Sequence, residues 1–403
     1  METSMKKTRL LAALALAGLA QQASALNVDF SGYMRAGTGI NVRGGTQVCF
    51  GLPGADTKWR LGNECDYVIE PTFDARIAEF EGSDWHVKVM PSVYRAWGGK
   101  EFQTSGSGIT DSGTDELVTR FGQIYAYGNK IAPFGNGRVW AGRRFYNRLQ
   151  TGINDQFLEN NDGDGAGIED MELGGAKVSV AFMMNGRNAA NNNRFQLPIR
   201  ATGIKTLPDG ELSIYVTPSA QLKSRDQVTG IEPDKQAKGL AIGAYQTING
   251  TFGGGTLLGI KGDKQGETRN LRFVVQQSGM FGATGWDALG EYRINTVNGV
   301  DTKWIALGGR TDTHISGPLR LLVEVGHDMV KPEGGDTRHM TKFTVAGAVS
   351  AGKDPWSRPT VRLFLTHAVW NDAARLTLTD RLQQVYGDKK AGTSVGIQAE
   401  AWW

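Results

Sequence analysis

Beyond its first 25 residues the sequence contains no apolar run approaching the roughly 18 residues that a membrane-spanning helix needs, which excludes a helical transmembrane protein. Cysteine is scarce: Cys49 and Cys65 are the only two. No C-x-x-C or histidine-rich spacing accompanies them, so no metal or redox centre is expected, and no cofactor. Neither charge sign dominates, with 44 Lys and Arg against 41 Asp and Glu and a formal net charge of +3. That balance removes any overall electrostatic case for a nucleic-acid partner. The signatures G-x-S-x-G, H-E-x-x-H and the P-loop are missing as well, so no enzyme class is indicated.

What is present begins with an export signal. Lys6, Lys7 and Arg9 form a basic head, Leu10 to Ala20 is a short apolar run, and Ala23-Ser24-Ala25 is a small-x-small cleavage site. Residues 1–25 are therefore expected to be removed, leaving 403 − 25 = 378 residues. The leader carries Lys6, Lys7, Arg9 and Glu2, so the mature balance is (44 − 3) − (41 − 1) = +1. An exported chain meets an oxidising compartment, and Cys49 and Cys65 are expected to pair and close a local loop. By chain entropy such a loop contributes about 3 kcal/mol. No Pro- or Ser-rich linker divides residues 26–403, which read as one domain.

The organising pattern is alternation. Ser394 to Trp403 places Val395, Ile397, Ala399 and Ala401 on one face and Ser394, Gln398, Glu400 and Trp402 on the other. Val28 to Ala36 alternates likewise, as do Ile69–Ile77, Leu319–Val325 and Thr360–Thr366. Turn signals stand at Glu81-Gly82-Ser83-Asp84, Pro208-Asp209-Gly210, Asn249-Gly250 and Asn298-Gly299. Pro71 sits awkwardly inside one of these strands. Two long polar segments, 98–116 and 150–167, contrast with the tight turns. If the terminal strands pair, the sheet closes. A closed all-β antiparallel barrel, apolar outside and wet inside, then spans an outer membrane. A soluble β-sandwich has the same alternation with its faces exchanged, and periodicity alone does not choose between them.

Several stretches also resemble the maltoporin family of sugar-specific outer-membrane porins. They are Val28–Arg35, Arg60–Cys65, Trp140–Tyr146, Gly165–Glu169, Trp356-Ser357-Arg358-Pro359 and Trp402-Trp403, in order and spanning both ends. The region from about 170 to 265 matches weakly. The resemblance implies a barrel of 18 strands with long external loops and one or more loops folded into the lumen. It also implies a homotrimer in the outer membrane of a Gram-negative bacterium, contacting lipid and passing oligosaccharides. Carried over residue by residue, the family's sugar-stacking track falls on Tyr33, Trp356 and Trp402. Trp97 and Phe102 are candidates for its loop-borne tryptophan. Two further track positions hold Val68 and Asn270 instead of aromatics. The polar track and constriction fall on Arg35, Arg60, Glu70, Arg120, Arg148, Gln150, Asp155 and Phe157. The segment 150–167 corresponds to the constriction loop.

The leading expectation is a channel for facilitated diffusion of sugars of the maltodextrin type. A less selective porin for small hydrophilic solutes is the alternative, encouraged by Val68 and Asn270. More remote is a secreted all-β glycoside hydrolase using two carboxylates such as Glu70 and Asp155. At the matched positions four arginines stand against two carboxylates. That count predicts a lumen that accepts anions at least as well as cations.

Overall fold

The computed structural model describes residues 27–55, 57–97, 118–185, 194–221 and 238–403. The leader and Phe102 lie outside the described residues. Within them one antiparallel sheet closes on itself. The strand Asn27–Asn41 pairs with Asp66–Phe80 through its first half and with the last strand, Ala391–Trp402, through its second. The other wall strands follow one another around the barrel in chain order, Gly137–Arg144 pairing with Gly163–Leu173 across an inner hairpin, giving a closed barrel of 18 strands. One of them is interrupted. Arg194–Gln196 and Ile199–Leu207 lie between the same two neighbours, separated by Leu197-Pro198. Closure leaves no unpaired edge, which a sheet in hydrocarbon requires.

Which face is wet is now decided. Along Thr360–Trp370 the side chains of Val361, Leu363, Leu365 and Val369 are exposed, whereas Thr360, Arg362, Phe364 and Thr366 are buried. The apolar set points outward, so the barrel reading holds and the sandwich reading fails. Phe273 follows the same rule, sharing an exposed face with Leu271 and Val275. At one rim Trp403 packs on the outer face, 5.5 Å from Phe30 and over Gly32, with Phe73 beside Phe30. Such an outward aromatic group fits a membrane–water interface.

The anticipated turns fall between paired strands, as at Val297↔Val300 across Asn298-Gly299 and Leu207↔Gly210 across Pro208-Asp209. Pro71 is tolerated because the ladder between Asp66–Phe80 and Ser83–Ala96 lapses between Ile69↔Val93 and Phe73↔Val89. A missing N–H costs nothing where no ladder bond is made. The rim holding both chain ends carries tight turns such as Glu81-Gly82 and Gly174-Gly175, and one longer connection, 351–359. The opposite rim carries the long connections 42–65, 145–162 and 371–390.

Three of those long connections fold inward. The disulfide Cys49–Cys65 forms as expected, with Cα atoms 5.8 Å apart. The loop it closes reaches into the lumen. Trp59 lies against Gly308 and Gly326, where an added Cβ would come within 2.4 Å of the indole, and its Nε1 donates to Asp328 at 3.0 Å. The amide of Leu61 donates to Glu324, and Lys342 and Thr344 donate to the Leu61 carbonyl. The segment expected at 150–167 is also shifted. Its inner hairpin pairs Leu149–Thr151 with Gln156–Glu159, while Gly163–Leu173 already belongs to the barrel wall. Phe50, Leu52 and Trp59 of the first loop, Ile153 and Leu158 of the hairpin, and Leu378, Leu382 and Tyr386 of the last loop form one apolar core with wall residues Tyr245, Trp304 and Trp370. The lumen is thus not uniformly polar: folded-in loops fill part of it with packed side chains.

Candidate functional site

Tyr33 and Trp402 are cross-strand partners at the seam, where the first and last strands pair. Both side chains point inward by parity with Arg35 and Glu400, which are themselves register partners. Trp356, carried on the connection 351–359, stands 6.5 Å from Trp402 between ring centroids. Trp356 is 66% exposed and Trp402 38%, and both line an internal cavity with Arg60, Glu64, Glu400, Arg358 and Arg362. Trp402 and Trp356 are thus neighbouring rings at the cavity, and Tyr33 is the register partner of Trp402 on the adjoining strand. Arg358 lies 4.0 Å beneath the Trp402 ring and fixes its orientation.

The charged groups beside these rings are tied to one another. Glu400 accepts from Tyr33 Oη at 3.0 Å, from Arg358 Nε and Nη2 at 3.1 and 2.9 Å, and from Arg362. Arg60 Nη2 lies 3.6 Å from the same carboxylate. Arg35 donates to Glu64 and Asp66, and Arg60 Nε donates to Glu64 at 2.8 Å. Burial pushes the Glu64 carboxyl up, but Arg60, Arg35 and Lys58 outweigh it and hold the group below the ordinary carboxylate range. Burial likewise disfavours the charged Arg60 guanidinium, and Glu64, Tyr33, Asp155 and Glu400 more than compensate. Every guanidinium here already has a carboxylate partner, so the lining presents fixed, directed polar groups rather than free charge.

The remaining sequence-predicted residues separate into two groups. Glu70 is the register partner of Tyr33 and accepts from Tyr94 Oη, over whose ring Arg120 stacks at 4.7 Å. These stand beside the aromatic rings. Gln150 and Asp155 hydrogen-bond each other at 2.7 Å on the inner hairpin, and Asp155 also binds Lys58 at 2.8 Å. Arg148 pairs with Asp162 and covers Phe145 and, at 5.1 Å, Phe157. The hairpin is bound to the first loop through Arg60 N→Ile153 O at 3.1 Å and to the far wall through Tyr245 and Lys261, both donating to Glu159. Glu70 and Asp155, the pair a hydrolase would use, sit on different elements and are each committed to other partners.

Trp97 does not fit its expected place. It is only 4% exposed, packed against Gly37, Leu61 and Phe364 of its own barrel, and so offers no ring face to a neighbouring subunit. Val68 is 4% exposed between Arg35 and Tyr94 in register, and adds no ring. Asn270 stands near the long-loop rim, hydrogen-bonded to Asp263 at 2.8 Å, whereas Trp356 lies at the other rim. Its lack of an aromatic ring therefore does not separate Trp356 from Trp402. Trp140, Arg144 and Tyr146 do face inward, but they are buried in a packed cluster with Tyr125, Arg144 sitting 4.7 Å from the Trp140 ring. Sequence reasoning missed Glu64, Arg362 and the pivotal role of Glu400. Parity put Glu400 on the inner face, and nothing local showed which arginines it would gather.

Solved structures share this architecture. OpdK of Pseudomonas aeruginosa, solved with vanillate, is 10% identical with a TM-score of 0.52, over 94% of this chain and 99% of that one. OccK3 (OpdO) of the same organism is 11% identical with a TM-score of 0.53, over 94% and 96%. OccD3 (OpdP) is 10% identical with a TM-score of 0.53, over 94% and 92%. At such identities the likeness is one of fold. A family model described as LamB porin matches residues 28–403, nearly the whole chain. A closed barrel with an outward apolar face and that family match make this an outer-membrane channel protein. It belongs to the LamB porin family, the family its terminal motifs resemble.

Proposed function

We propose that the channel passes sugars, maltodextrin-like oligosaccharides first among them, by stacking them on Tyr33, Trp402 and Trp356. The carrying observation is that Trp356 and Trp402 stay exposed inside a cavity whose arginines are already paired with carboxylates. Large rings left uncovered beside fixed hydrogen-bonding groups suit a solute with a flat apolar face and a hydroxyl edge. Burying about 40 Å² on each partner at roughly 25 cal/mol per Å² gives about 2 kcal/mol per ring before ordering costs. Weak sites in series favour entry and still permit exit. A homotrimer, and removal of residues 1–25 on export, belong to the same reading and rest on the family resemblance and the leader pattern. A less selective porin is the second reading, favoured by Val68 where the family places a tyrosine.

The test is conductance in planar bilayers titrated with maltodextrins. Block is expected in the millimolar range, where binding is worth about 4 kcal/mol. Trp402→Ala and Trp356→Ala should each weaken block several-fold, leaving open-channel current unchanged or slightly higher. Sugar block untouched by both substitutions in a folded channel would sink the stacking assignment and leave the general porin.

A further inference from the structure

We infer that Asp287 sets the charge class of the solute, favouring neutral and amino-bearing sugars over those carrying carboxylate or phosphate. This rests on the sugar reading above. Ser278, Asp287 and Arg310 are successive register partners on three adjacent strands, Thr268–Phe281, Thr284–Val297 and Val300–Ser316. They line the same cavities as Trp356, Arg358 and Arg362, so one space has an aromatic wall and a polar wall.

Asp287 differs from the charged groups around it. Arg310 donates to Glu324 through Nε at 2.8 Å and through Nη2, and Arg358 and Arg362 both donate to Glu400. Asp312 accepts from Arg320 at 2.7 Å. Among the described residues Asp287 has no hydrogen bond and no ion pair, although it is only half-buried and borders the cavity. An ionised carboxylate only accepts. Its open lone pairs therefore take hydroxyl or ammonium donors from a sugar resting on the rings, and repel a second anion. Arg310, its register partner, acts on it through space but donates its hydrogen bonds to Glu324, so the lone pairs of Asp287 stay open while its charge is partly offset. Asp354, exposed on the 351–359 connection, has the same sign nearer the rim and serves as the control position.

The experiment compares block by a neutral glucose trisaccharide with block by the same trisaccharide oxidised to uronate at its primary hydroxyls. Wild type should bind the neutral form more tightly. Asp287→Asn keeps the shape and removes the charge. It should raise uronate affinity relative to neutral affinity about threefold, the scale of one partly solvated charge pair. Asp354→Asn should change the uronate value less. If uronate and neutral block keep their wild-type ratio in Asp287→Asn, the Asp287 assignment is overturned while the sugar reading stands. If the neutral trisaccharide fails to block wild type at all, the sugar reading falls and this inference with it.

Discussion

Trp402 shows how one ring is made into a platform. Its partner Arg358 is held by Glu400 and donates to the carbonyls of Pro355 and Ser357 at 3.1 and 3.0 Å, so the guanidinium beneath the ring has a single position. A cation on a ring face is worth about 0.5–2 kcal/mol, and Trp402 remains 38% exposed with the cation in place. Arg358→Ala should therefore weaken maltodextrin block several-fold with Trp402 still in place, read by the same current titration. Arg358→Lys should recover little, because an ammonium cannot stack and fork at once. The inward parity of Tyr33 and Trp402 was legible in the sequence, since alternation reports faces directly. The contact of Tyr33 with Glu400 was not, as 367 residues separate them and only closure of the barrel brings them together.

The first inward loop is the element that joins the aromatic rings to the opposite wall. Its cysteine pairing could be read from the exported compartment. Its docking could not, because the anchors are a notch left by Gly308 and Gly326 and buried polar groups on strands far along the chain. Glu64 is the loop's electrostatic anchor, bound to Arg35 and Arg60. A carboxyl held below its ordinary value binds fewer protons when docked. Its contribution is complete above the ordinary glutamate value of about 4.3 and is lost as pH falls through the lower docked value. The loop should accordingly remain docked from neutral pH to about 5 and loosen below about 4, seen as added open-channel current noise. Glu64→Gln should bring that noise to neutral pH and flatten its acid dependence. A Glu64→Gln channel as quiet as wild type across the range would remove Glu64 from this role.

At the scale of the whole barrel, alternation and turn chemistry were enough to anticipate closure. The identity of the wet face needed the exposed Val361, Leu363 and Leu365 beside buried Arg362. The apolar plug inside was hidden, because residues such as Trp304 and Trp370 share parity with polar neighbours and are covered only by loops from elsewhere. The charge count of four arginines against two carboxylates fails for a related reason. Arg35 lies between Glu64 and Asp66, Arg60 between Glu64 and Glu400, and Arg148 on Asp162, partners that the matched positions omitted. Paired charges focus little field, so the anion preference that the sequence suggested loses its basis. The wild-type channel should show only weak ion selectivity, leaning to cations through Asp287, with a small reversal potential under a salt gradient. Glu400 is where that balance is most exposed, for three arginines share its two oxygens. Glu400→Gln keeps the strand and the volume but leaves Arg60, Arg358 and Arg362 without that anion. The reversal potential should then move several-fold in permeability ratio towards anions at low salt. The shift should fade as the Debye length shrinks from about 30 Å at 0.01 M to about 3 Å at 1 M. A Glu400→Gln channel that is folded, conducting and as unselective as wild type at low salt would show that the lumen field is set by groups other than this cluster.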